Sequence, residues 1–192
     1  YIFDGTKSIY SENDVPNPLN YYGQCKLEGE RKLINSGVKN LIFRTSWVSG
    51  KNGSNFVKKI LTFLKLNNNF KVVCDQYGIP TSTEFLSNTI YQILNIFYEN
   101  LGSLPFGIYN LCPHGKTSWY ELAVFVCKVG NRIQNNYKFE ETNIKPVSSE
   151  NYKSNVNRPK NSFLSNKKLE RQFNLNLPSW EIGIEKLIKD IL

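Results

Sequence analysis

Short apolar runs alternate with longer amphipathic stretches along this sequence, and that alternation restricts its fold more than any other feature. Residues 38–44 (VKNLIFR) form an apolar run of the length and composition of a buried parallel strand. Residues 70–74 and 106–111 read the same way, and residues 1–3 read as the end of another strand. Helical stretches fall at 20–35, 55–66, 84–98 and 119–129, with a last one at 180–191. In the second of these, Phe56, Ile60, Phe63 and Leu64 share one face, expected to be buried. Turn signals lie at Asp4-Gly5, around Pro16 and Pro18, and at Gly78-Ile79-Pro80, and residues 46–54 read as a loop. The stretch between 130 and 179 has a looser pattern. Strands and helices in this order predict an α/β protein with a mainly parallel sheet.

With 40% apolar residues the chain can bury a substantial core, which excludes wholesale disorder. The formal charge of +8 would suit a polyanionic partner. The lysines are scattered, however, and only Lys58-Lys59 and Lys167-Lys168 are adjacent, so a solvated surface is expected and no nucleic-acid partner. Cys25, Cys74, Cys112 and Cys127 stand far apart and His114 is the sole histidine, which leaves little for a zinc site or a histidine-based nucleophile. Reduced thiols and the absence of an apolar run near 18 residues predict a cytoplasmic protein with no membrane partner. The chain has no methionine and opens on Tyr1-Ile2-Phe3, which reads as the middle of a strand in a fragment.

Tyr22 and Lys26 lie four apart on the first helix, hence on one face. A phenol with the ordinary pKa of about 10 is a reluctant acid at neutral pH. An ammonium about 4 Å away, at an effective dielectric near 20, favours the phenolate by about 4 kcal/mol, which makes the pair usable by a reductase. Eleven tyrosines, and 24 basic residues of which five are arginines, would yield about one Y-x-x-x-K by chance, so the spacing alone carries little weight.

Its surroundings carry more. Pro18-Leu19-Asn20-Tyr21-Tyr22-Gly23-Gln24-Cys25-Lys26-Leu27-Glu28-Gly29-Glu30 resembles the P-L-N-x-Y-G-x-x-K-x-x-G-E helix of the extended short-chain dehydrogenase/reductases, and within them the dTDP-4-dehydrorhamnose reductase family. Five further segments are similar to that family in order. They are Y-I-F-D-G at 1–5, L-I-F-R-T-S-W-V at 41–48, Asn55-Phe56, D-Q-Y-G-I-P-T at 75–81, and R-P-K-N-S at 158–162. Trp180-Glu181 matches the family's final helix.

The resemblance implies a Rossmann-like sheet with a smaller C-terminal substrate-binding α/β domain. Residues 1–48 would be the rear of the dinucleotide-binding domain. Residues 49–192 would be mainly the sugar-nucleotide domain, with about 84–112 returning to the Rossmann sheet. It implies NADPH- or NADH-dependent reduction of the C4 ketone of dTDP-4-dehydro-β-L-rhamnose. Tyr22 would protonate the ketone oxygen, and Lys26 would favour that transfer and hydrogen-bond the nicotinamide ribose. Trp47 would lie against the deoxysugar, Tyr1 would line the sugar pocket, and Arg158 would face the diphosphate. Glu84 and Glu181 match glutamates that some members place around Mg²⁺ at a homodimer contact, although a helix N-terminal acid is the simpler reading of Glu84.

The family's glycine-rich turn, its cofactor-selecting residue and its T-D pair precede the position of Tyr1, and no such turn is found here, so the segment alone is expected to be inactive. Ser49 stands where the family's W-V is usually followed by tyrosine. Two alternatives stay open: another nucleotide-sugar epimerase or dehydratase of the same fold, and a non-catalytic regulatory subunit like that of methionine adenosyltransferase.

Overall fold

Asn20 starts the first helix. Its side-chain oxygen accepts the Gly23 amide at 2.9 Å, and α1 then runs Tyr21–Asn35. The computed structural model describes residues 2–99, 105–134 and 138–192. α1 stops at Ser36, followed by Gly37 at φ +71°. Asn40 then donates to the carbonyls of Val38 and Leu33 at 2.7 and 3.2 Å. This local turn competes with extension, so the strand expected from residue 38 begins only at β1, Leu41–Arg44.

After β2 (Val48–Ser49), Asn55 caps α2 (Phe56–Lys65) by accepting the Lys58 amide at 3.1 Å, and it donates to the Gly50 carbonyl at 2.7 Å. The asparagines of two of the resembling motifs, Asn20 and Asn55, are therefore helix caps. α2 buries Val57, Ile60, Leu61 and Leu64. Phe63, expected inside, is 42% exposed and rests near Phe70, 5.2 Å between ring centres. The apolar arc of α2 is wider than its contact, and the contact is centred on the 57–61–64 row.

The remaining elements are β3 (Phe70–Val73), β4 (Tyr77–Gly78), β5 (Thr81–Ser82), α3 (Thr83–Glu99), β6 (Gly107–Asn110), β7 (Thr117–Ser118), α4 (Trp119–Ile133), β8 (Ile144–Val147), α5 (Lys167–Phe173) and α6 (Trp180–Ile191). β8 and α5 lie in the stretch whose pattern looked loose. β1 pairs with β6, β2 with β5 and β3 with β8, all parallel, and β4 pairs with β7 antiparallel. The pairing among the described residues is mainly parallel, as the strand–helix order predicted, but it falls in four two-stranded sheets in place of one. One core packs α2, α4 and α6 together through Leu61, Val126, Ile184 and Ile188. A second lies between α3, β6 and α5, around Ile93, Tyr109, Leu169 and Phe173. Each such side chain contributes about 1.5–3 kcal/mol by leaving water. No helix among the described residues is long and apolar enough to cross a membrane.

The segment leading into α1 is knotted by two carboxylates. Asp4 accepts from the Tyr10 hydroxyl at 2.6 Å, from Thr6 Oγ1 at 2.8 Å, and from the Thr6 amide and Asn17 at 3.1 Å. Asp14 accepts from Lys7, and from the Ser11 amide at 2.6 Å. The Tyr10 bond, then those of Thr6 and Asn17, hold the Asp4 carboxyl well below the usual carboxylate range. Lys7 and Ser11 hold Asp14 down to about 2. Both groups ionise more readily folded than unfolded, so their contribution is complete above the ordinary carboxylate pKa of about 4 and is lost as pH falls through the folded values. The Ser11 amide is expected to keep its hydrogen-exchange protection at about pH 4 and to lose it near pH 2, and the Thr6 amide to keep its protection to lower pH than Ser11. Protection lost already between about pH 5 and 4 would contradict this.

Candidate active site

α1 and the loop that leaves β1 wall an open cleft of ≈ 670 Å³, whose lining includes Phe3, Tyr22, Lys26, Glu30, Arg44, Ser46, Trp47, Pro159 and Ser162. Tyr22, Lys26 and Glu30 project from one row of α1, four residues apart. Tyr22 is 57% exposed, and the Lys26 ammonium stands 5.4 Å from its ring centre. Behind them, at 8% side-chain exposure each, Glu30 and Arg44 form an ion pair.

Trp47 enters the same cleft but is 9% exposed, with a left-handed backbone at φ +43°. A bulky residue occupies that region only where its surroundings hold it there, at a cost of about 1–3 kcal/mol. Here the holders are visible. Trp119, the first residue of α4, stacks on the Trp47 indole at 3.5 Å and 8° between planes, and Phe56 tilts against Trp119 at 4.6 Å. The edge of the indole meets the backbone of Gly78. Ser46 sits next to Trp47, and its Oγ lies 3.5 Å from Ser162 Oγ and 3.4 Å from the Ile79 amide. A methyl at Gly78 would stand 2.4 Å from Trp47 Cε2 and 2.7 Å from Ser162 Oγ. Gly78→Ala is therefore expected to disrupt the Trp47–Trp119 stack and to destabilise the fold by about 1–3 kcal/mol. Circular dichroism would report the altered indole pair and thermal melting the stability. A wild-type spectrum with a wild-type melting point would contradict it.

Other expected site residues lie elsewhere. Arg158 is exposed and donates to Ser154 Oγ at 2.8 Å, while its neighbour Pro159 lines the cleft. Tyr1 lies outside the described residues, and the next residue, Ile2, lines the cleft. Glu84, in the first turn of α3, pairs with Lys186. Glu181, in the first turn of α6, has one buried carboxylate oxygen without a hydrogen-bond partner. Among the described residues no group of three or more His, Cys, Asp or Glu could hold a metal ion.

Cys112, Cys127 and His114 are remote from this cleft or inert. Burial pushes the Cys112 thiol far up and that of Cys127 up to about 11. His114 pairs with Glu170 at 2.8 Å, where it helps fasten the α5–α6 connection. The arrangement can thus offer a solvent-accessible phenol, a nearby ammonium and an aromatic wall to one small polar molecule. Sequence reasoning did not foresee Trp119 or the Glu30–Arg44 contact. Glu30, Arg44 and Gly78 all lie inside the resembling motifs, which is the signal that could have singled them out.

The dTDP-4-dehydrorhamnose reductase of Salmonella typhimurium is 35% identical over 192 residues, covering 100% of this chain and 63% of that protein. This chain therefore spans about 63% of that relative's length. The crystal structure of the Bacillus anthracis dTDP-4-dehydrorhamnose reductase in complex with NADP superposes with a TM-score of 0.83 at 33% identity, covering 97% of this chain and 61% of that one. A Clostridium acetobutylicum orthologue gives a TM-score of 0.84 at 31% identity, covering 98% and 62%. The family pattern described as the RmlD substrate binding domain matches residues 1–192, and this chain belongs to that family.

Proposed function

We propose that the protein carrying this chain reduces the C4 ketone of dTDP-4-dehydro-β-L-rhamnose to the alcohol of dTDP-L-rhamnose, using NADPH or NADH. The observation that carries the reading is the single cleft lined by Tyr22, Lys26 and Trp47. These residues come from α1 and from the β1–β2 connection, so the fold gathers the resembling motifs around one space. The residues present fit the nicotinamide end of such a cofactor, because a hydroxyl and an ammonium one helical turn apart match a ribose diol. Tyr22 and Lys26 would hold that end. When bound, the nicotinamide supplies a hydride to the sugar C4.

This chain's residues do the rest. Tyr22 donates its phenolic proton to the ketone oxygen as negative charge develops there. Lys26 favours the phenolate left behind until solvent reprotonates it. Trp47 offers an apolar surface to the CH side of a 6-deoxyhexose from an indole already backed by Trp119. Arg158, one residue from the rim, reaches for the diphosphate with a forked guanidinium. Tyr1 keeps its assignment to the sugar pocket.

The parallel pairing of β1 with β6 supports the division in which residues 1–48 and about 84–112 share the dinucleotide-side sheet, the rest serving the sugar nucleotide. A cytoplasmic setting and a homodimer belong to the same reading. The test is to add the 4-keto sugar to the purified complete gene product with NADPH. Loss of NADPH absorbance with formation of the rhamnosyl product supports the proposal. Binding to a methionine adenosyltransferase without any NADPH consumption would replace it.

A further inference from the structure

Glu30 is four residues beyond Lys26 and eight beyond Tyr22, in the same row of α1. It receives two hydrogen bonds from Arg44, one from Nε to Oε2 at 3.0 Å and one from Nη2 to Oε1. The third arm of the guanidinium, Nη1, donates to the Glu12 carbonyl at 3.3 Å, and the group lies 5.4 Å from the centre of the Phe3 ring. Arg44 closes β1 three residues before Trp47. One buried ion pair thus joins the helix bearing the phenol to the strand leading to the tryptophan, and both partners line the cleft.

A buried ion pair is a poor means of gaining stability, since an apolar pair of equal volume often does as well. What a bidentate fork adds is direction. On α1 Glu30 is the one charged side chain that is buried within this chain. A roll of α1 by one residue turns it by about 100°. Such a roll would carry Tyr22 and Lys26 out of the cleft. The two bonds to Glu30, on the same row, forbid it.

We infer that Glu30 and Arg44 are positioning residues: their buried bidentate pair sets the angle of α1 so that the Tyr22–Lys26 edge faces Trp47. The inference rests on the reductase reading above, because its kinetic readout needs that reaction.

The experiment uses the complete gene product with Glu30→Gln, with the milder Arg44→Lys, and with each combined with Tyr22→Phe. Misplacing a reacting group by about 1 Å can lower a rate about 100-fold. Well below their melting temperatures, Glu30→Gln and Arg44→Lys are expected to lower kcat about 10–100-fold, with KM for the sugar nucleotide within about threefold. In the Tyr22→Phe background the same changes should alter the residual rate less than about threefold, because there is no longer a phenol to aim. Hydrogen exchange of residues 21–35 should rise about tenfold or more in both variants, and this readout needs no turnover. Wild-type kcat in both variants, equal losses with and without Tyr22, or unchanged exchange in α1 would each overturn the inference. A wild-type protein that fails to consume NADPH would sink the reductase reading instead, and exchange in α1 would still decide whether the pair holds the helix.

Discussion

Tyr22→Phe in the complete gene product is expected to lower kcat for the 4-keto sugar about 1000-fold while leaving its KM within about twofold. The substitution removes one oxygen and one proton and keeps the ring, so the face that lies beside the Lys26 ammonium persists. Proton donation by a positioned side chain is worth about 100- to 10,000-fold, and the phenol is the one group of this pair able to give a proton and have its anion stabilised by the other. Tyr22 is more than half exposed, so folding stability should change by less than about 0.5 kcal/mol. Steady-state kinetics with NADPH separates the outcomes. A variant as fast as wild type removes Tyr22 from the chemistry. A raised KM with unchanged kcat would assign it to uniform binding, with no part in the transition state.

The helices other than α5, and the strands β1, β3 and β6, were legible because their signals are local. Asn20 and Asn55 precede amphipathic runs, and Ser36-Gly37 closes one, so caps and periodicity agree. Two-residue strands such as Val48–Ser49 and Thr81–Ser82 were not legible, since two residues show no period and their pairing joins positions 33 residues apart. Phe63 was misplaced because it lies at one edge of the apolar arc of α2, and only the partner decides which part of that arc is inside.

The site divides the same way. Tyr22 and Lys26 could be paired from helical spacing alone. That Trp47 lines the same cleft, with Trp119 stacked on it and Glu30 bonded to Arg44, follows from contacts between distant segments, and a strand–helix pattern cannot encode them. What the sequence did carry was family resemblance at Glu30, Arg44 and Trp47, without the physical reason for it.

Gly5→Ala is expected to destabilise the protein by about 2–5 kcal/mol and to raise KM for the sugar nucleotide. Gly5 has φ +84°, where an alanine loses about 1–2 kcal/mol. Its new methyl would stand 2.7 Å from Pro159 Cβ, 2.8 Å from the Lys160 nitrogen and 2.9 Å from the Asn161 nitrogen. These are a proline ring atom and main-chain atoms, none of which can swing aside, so overpacking adds about 1–3 kcal/mol. Relief requires the 2–11 segment to separate from 159–165, and those segments are stitched together. Asn161 Nδ2 donates to the carbonyls of Lys7 and Ser8 at 2.7 and 2.9 Å, and Tyr10 exchanges backbone bonds with Phe163 and Ser165 at 2.9 and 2.7 Å. Phe3 from one segment, and Pro159 and Ser162 from the other, line the cleft, so prising them apart deforms the sugar side. Gly53 provides the control. It also has positive φ, at +72°, but a methyl there meets nothing within 4 Å, so Gly53→Ala should show the backbone strain alone. Thermal melting of the two variants side by side separates clash from strain. Gly5→Ala should fall well below Gly53→Ala, and equal melting temperatures would mean that the 158–162 motif does not press on Gly5 as described.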